Sequence, residues 1–105
     1  MQHLVIARVP GRPPAPTAAS LRAGLATLER LAALRRDGRI EGAGVFAGRM
    51  GMCFVVDAAD HVELHATIAT LPTFLDAEWE VIPLVPLDDD IEMTRAALAH
   101  FSASE

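Results

Sequence analysis

The chain has 105 residues, 51% of them hydrophobic and 5% aromatic, and carries a net charge of −5. That length bounds it to one domain with a small core, and the acidic balance argues against a nucleic-acid partner or an anionic membrane surface. So much apolar side chain exceeds what one small core hides, so self-association is expected.

The lone Cys53 excludes an internal disulfide and suits a reducing compartment. It lies in Met52-Cys53-Phe54-Val55-Val56, where a free thiol reads as a small core residue. No apolar run is long enough to span a membrane. The first residues lack the charged-then-apolar order of a signal peptide, so the cytoplasm is the expected location.

His3-Leu4-Val5-Ile6-Ala7 is short, β-branched and continuous, which predicts a strand covered on both faces. Pro10-Gly11-Arg12-Pro13-Pro14-Ala15-Pro16 cannot be helix or central strand and reads as a connecting loop. Thr17 or Ser20 caps a first helix whose apolar stripe is Leu21, Leu25, Leu28 and Ala32, widened by Leu31 and Leu34. Arg35 and Arg36 followed by Gly38 make its stop. Residues 39–47 and 52–57 read as strands joined through Gly48-Arg49-Met50-Gly51, a hairpin-length connection. Glycines inside strands mark bulges or the close approach of another group, so Gly42 and Gly44 signal either tight packing under a helix or a place for a ligand.

Asp60 caps a second helix with Leu64, Ile68 and Leu71 on its apolar face, and Pro72 marks its end. Glu78 to Leu84 is the last strand, and Pro83 places it at a sheet edge or terminus. Asp88-Asp89-Asp90 opens a third helix, where acids favour the positive end of the dipole and need no metal to explain them. Its weaker stripe of Met93, Ala96, Ala97, Leu98 and Phe101 docks either on the body or on a neighbouring subunit.

The order strand, helix, strand, strand, helix, strand is the ferredoxin-like βαββαβ pattern of an α+β domain with an antiparallel sheet. The core spans residues 1–87, with a helical tail at 88–105. Both helices cover one face. The other is apolar too, and two such faces meeting give a dimeric α/β barrel.

Several residues of the second half carry a family resemblance: Asp57, Leu64-His65, Thr67, Leu71-Pro72, Phe74, Glu80-Val81 and Leu84, together with Arg36-Asp37-Gly38 at the end of the first helix. Leu-His-x-Thr followed by Leu-Pro-x-Phe, then an acid-Val pair before Pro-Leu, resembles the muconolactone delta-isomerase family. The resemblance covers about residues 1–87. It implies a ferredoxin-like subunit, a dimeric barrel, often a larger ring of dimers, and cofactor-free isomerisation of a small lactone acid in aromatic catabolism. Where the family carries an aromatic-Arg pair on the second strand, this chain has Gly44-Val45. Where its first helix is rich in Lys and acids, this chain has Gly24-Leu25-Ala26-Thr27-Leu28, with Glu29 the retained acid.

Proton transfer at carbon needs a base that titrates near the working pH. His65 is the first candidate for that base, against the alternative of a half-buried structural imidazole. Glu41 and Glu29 are the alternative bases, against exposed carboxylates in ordinary ion pairs. Gly44, Phe46, Trp79 and Arg49 are the candidate ligand contacts, with core packing the competing role for the two aromatics and solvation for Arg49. His61 and His65 share a helix face, but Glu63 is misplaced for a zinc helix and a third ligand is lacking, so no metal and no cofactor is expected. The expected partners are a small molecule and another copy of the chain. A cofactor-free monooxygenase or a non-catalytic ligand-binding barrel are the alternative functions on the same scaffold.

Overall fold

The computed structural model describes residues 1–11, 15–73 and 76–104. Arg12, Pro13 and Pro14 of the proline loop and Phe74 of the Leu-Pro-x-Phe run lie outside the described residues. The elements are β1 (Gln2–Arg8), α1 (Ala18–Arg36), β2 (Ile40–Val45), β3 (Gly51–Asp57), α2 (His61–Ala69), β4 (Glu78–Pro83) and α3 (Leu87–Ser104). The strands form one antiparallel sheet in the order β2-β3-β1-β4, which is the expected ferredoxin-like arrangement followed by an extra helix.

β1 is the strand on which both halves meet. Val5 pairs with Phe54 of β3 on one side and Val81 of β4 on the other. Its side chains alternate: His3, Val5 and Ala7 are buried, while Gln2, Leu4, Ile6 and Arg8 are half-buried. The continuous apolar run therefore does not have two covered faces within one chain. Helices cover His3, Val5 and Ala7, whereas Leu4 and Ile6 point away from them. Val5, Leu34, Phe54 and Val56 are the largest fully buried side chains. Burying each contributes about 1.5–3 kcal/mol.

Local chemistry fixes the helix ends. Thr17 Oγ1 accepts from the Ser20 amide at 3.0 Å, and Ser20 Oγ accepts from the Thr17 amide at 2.9 Å, so both cap candidates join one capping box. At the other end Gly38 takes φ +74°, the left-handed turn that glycine adopts without a Cβ clash. In α2, Asp60 accepts from the Glu63 amide at 2.8 Å while the Glu63 carboxylate accepts from the Ala59 amide at 2.9 Å.

The rotation of α1 differs from the sequence expectation. Thr27, Leu31 and Leu34 are its buried residues, whereas Leu21, Leu25 and Leu28 are exposed. The two stripes are one residue apart, a turn of about 100° around the helix. Both have helical spacing, so periodicity alone does not choose between them. Thr27 can face inward because its hydroxyl bonds to Ala23 O at 3.0 Å and lies 3.2 Å from the Thr73 hydroxyl.

The β2–β3 register shifts between Glu41 and Ala43, and Gly42 there has φ +57°. The glycine marks a bulge, one of the two meanings its position allowed. β4 is an edge strand ending on Pro83, as expected. α3 is exposed along its described side chains.

Leu34→Ala is expected to cost about 2–5 kcal/mol, read from urea unfolding. A loss below about 1 kcal/mol would show that α1 does not sit on the sheet through Leu34.

Candidate functional site

Two surfaces of the sheet are available to a ligand or a partner. One is a groove between α1 and β2, about 170 Å³ in volume and lined by Leu28, Leu31, Ala32, Arg35, Ala43, Gly44 and Val45. Its lining side chains are apolar except that of Arg35, which stands beside β2 because α1 packs against that strand. A more open depression of about 510 Å³ continues along Glu29, Ala32, Arg35 and Arg36. Four residues of one helix cannot enclose a small molecule, so this is open surface. The groove itself is smaller than the roughly 300–1,000 Å³ of an ordinary ligand pocket.

The other surface is the outward face of the sheet. Register and alternation place Leu4, Ile6, Cys53, Val55 and Ile82 there. Glu41 and Gly44 of β2 share it. At its rim Arg8 pairs with Glu80 at 2.8 Å, and Gln2 Nε2 donates to Glu41 at 3.1 Å.

The residues selected from sequence do not converge on one of these surfaces. Gly44 lines the groove, and a Cβ there would meet nothing within 4 Å. Glu29 stands in the neighbouring depression. Glu41 is exposed and held by Gln2. His65 is exposed on α2. Arg49 is exposed in the β2–β3 turn. The Phe46 ring is half-buried and fills the space a Cβ at Gly51 would take, coming within 2.6 Å of it. Trp79 is half-buried against the core on the helix side of β4. Glu29 and Gly44 thus border adjoining depressions that share Ala32 and Arg35, Gly44 also shares the outward face with Glu41, and His65, Arg49, Phe46 and Trp79 are dispersed.

Arg35 and His3 are not among the residues that sequence reasoning selects. In sequence Arg35 is a solvated cation at a helix end, and only the packing of α1 on β2 makes it a groove wall. His3 is buried between sheet and helices, its ring 6.2 Å from His61, and its Nδ1 has no hydrogen-bond partner among the described residues. The only hint in the sequence is a histidine at an alternate position of an otherwise apolar strand. No group of three His, Cys, Asp or Glu among the described residues is placed to hold a metal ion. No helix among them is long and apolar enough to cross a membrane.

The fold defines a ferredoxin-like α+β subunit with one sheet face left bare. The family model for muconolactone delta-isomerase matches residues 1–90, and the chain belongs to that family. A crystal structure of muconolactone isomerase superposes with a TM-score of 0.70 at 25% identity, covering 83% of this chain and 93% of that one. The 5-chloro-2-hydroxyhydroquinone dehydrochlorinase from Burkholderia phenoliruptrix AC1100, solved with 2,5-dihydroxybenzoquinone, has the same fold. Its TM-score is 0.61 at 18% identity, covering 81% of this chain and 94% of that one. No curated protein sequence matches the chain.

Replacing a buried group that lacks a partner by an apolar one is neutral or favourable. His3→Leu is therefore expected to keep or raise stability, by up to about 1 kcal/mol in urea unfolding. A loss beyond about 2 kcal/mol would show that the imidazole is hydrogen-bonded in solution.

Proposed function

We propose that this protein is a cofactor-free isomerase that moves a proton within a small unsaturated lactone or a related acid. The observation that carries this reading is the family match over residues 1–90 on a superposable fold. In the reaction, a base takes a proton from a carbon made acidic by the conjugated carbonyl. The electron pair spreads into an enolate, and a proton returns at the other end of the conjugated system. Nothing is oxidised, and no atom is lost.

His65 is the base in this reading. It sits in the Leu64-His65-x-Thr67 run that carries the family resemblance, on a helix whose first turn is fixed by Asp60 and Glu63. Imidazole exchanges protons near neutral pH, which suits a group that must both take and return one. Glu41 and Glu29 are the alternative bases. The active unit is a homodimer joined through the outward sheet faces, a closure supported by the half-buried Leu4, Ile6 and Val55.

A non-catalytic ligand-binding barrel is the competing reading. Gly44-Val45 favours it, because an aromatic-Arg pair is missing where a substrate carboxylate would need a cation.

Two measurements test these statements. With muconolactone in D₂O, NMR is expected to show protein-dependent exchange at the acidic carbon, slowed at least about 100-fold by His65→Ala. Exchange unaffected by His65→Ala but lost in Glu41→Gln or Glu29→Gln moves the base. No exchange at high protein concentration overturns the isomerase reading on this substrate. Separately, Ile6→Arg on the outward face is expected to lower the particle mass in light scattering while the helix and strand signals in circular dichroism persist. An unchanged mass overturns the face-to-face dimer.

A further inference from the structure

The stripe of α1 that the sheet leaves bare and the stripe of α3 have the same spacing. Leu21, Leu25, Leu28, Ala32 and Arg35 recur at alternating steps of four and three residues, and so do Leu87, Ile91, Thr94, Leu98 and Phe101. An apolar residue every 3.5 positions is the seam along which two helices wind around each other. Both seams are uncovered. Leu21, Leu25 and Leu28 are 63, 55 and 46% exposed, and Leu87, Leu98 and Phe101 are 76, 66 and 67% exposed. α3 also stands off the body: the chain measures 65 Å along its longest axis and has a radius of gyration of 18.1 Å. A compact domain of this length has about 13 Å.

We propose that α3 docks antiparallel on α1 of another copy of this chain. Aligned so, Phe101 meets Leu21, Leu98 meets Leu25, Thr94 meets Leu28, Ile91 meets Ala32, and Leu87 lies against the stem of Arg35. The charges choose the direction. The antiparallel register sets Asp88 beside Arg36 and Arg95 beside Glu29, two opposite-charge pairs at the flanks of the seam. The parallel register sets Asp90 beside Glu29, a repulsion. The acidic start of α3, Asp88-Asp89-Asp90, then faces the Arg35-Arg36-Arg39 cluster at the end of α1, and the helix dipoles oppose. Ala32 is small, and beside it lies the groove of about 170 Å³, which receives Ile91 as a knob enters a hole.

The occupant is another copy because the chain's own α3 cannot reach. Residues 84–86 join β4 to α3, and the four Cα steps from Pro83 to Leu87 span at most about 15 Å. α1 packs on β2, three strand spacings, about 14 Å, from β4, and its bare stripe opens on the far side, over Ala43, Gly44 and Val45 of that edge strand, so the connection would also have to pass around α1, about 10 Å across. Pro83 and Pro86 stiffen the connection further. This contact is separate from the outward sheet face. On the α3 side, Ile91, Thr94, Leu98 and Phe101 lie beyond the part of the chain that the family model matches.

The test uses the full chain in a Cys53→Ser background. Ala32→Cys and Ile91→Cys are made as two separate proteins, mixed and mildly oxidised. A disulfide-linked heterodimer at twice the chain mass is expected, and its absence overturns the docking. With both substitutions in one chain, closure at monomer mass would overturn the other copy as occupant. Arg36→Asp is expected to weaken assembly about tenfold on dilution, and adding Asp88→Arg is expected to restore it. A double variant no tighter than the single one overturns the antiparallel register.

Discussion

A single sheet has two faces, and this chain has helices for only one. β1 shows the consequence residue by residue. Val5 is sealed between Phe54, Val81 and the helix layer, while Leu4 and Ile6, its immediate neighbours, point the other way. A one-residue slip would exchange the two sets, so the register of β1 fixes which apolar residues make the core and which remain for a partner. Everything else in the fold follows that choice. α1 and α2 lie over His3, Val5 and Ala7. The two edge strands, β2 and β4, carry what each half adds, a bulged glycine strand on one side and a proline-ended strand on the other.

The parts of this architecture that are legible in the sequence are those decided by short-range chemistry. The Thr17–Ser20 box, Gly38, Asp60 and Pro83 each act within a few residues of themselves, so element order and ends can be read off directly, and the order then specifies the topology. The rotation of α1 is not legible. Leu21-Leu25-Leu28 is the more apolar stripe, yet Thr27-Leu31-Leu34 is the buried one. What decides between them is where the sheet lies, together with a threonine that satisfies its hydroxyl internally, and neither is visible to a periodicity argument. The same limit explains the continuous run of β1. It resembles a doubly covered strand because Leu4 and Ile6, which point away from the helices, are as apolar as the buried set.

The candidate site is less legible than the fold, again for a physical reason. His65 stands out from a run of residues, Glu41 and Glu29 from their charge, and Trp79 and Phe46 from their size. None of these properties says which way the residue faces. Trp79 faces the helices and packs on the core, and Phe46 folds over Gly51. Gly44 is the more informative choice, because a missing side chain is itself a shape, and it borders the groove. Arg35 does not stand out, since a cation at a helix end already has an explanation in the dipole. That explanation is sufficient for stability and silent about what the guanidinium borders.

The groove then bears on where chemistry takes place. It is apolar, small, and lined by no acid and no imidazole. A proton-abstracting site needs a base within hydrogen-bond reach of the carbon acid, and the one charged side chain in the groove's lining is Arg35, a hydrogen-bond donor with no acceptor. Its volume and lining suit the aliphatic side chain of a docking helix better than an anionic lactone. If α3 of another copy fills the groove, as proposed, the proton transfer falls to a base outside it, His65 on α2 or Glu41 on the outward face. Glu41 lies on the face a partner sheet would cover. In the proposed assembly the surplus of apolar residues in so short a chain has two uses: one set closes the sheet, and the other winds helix to helix.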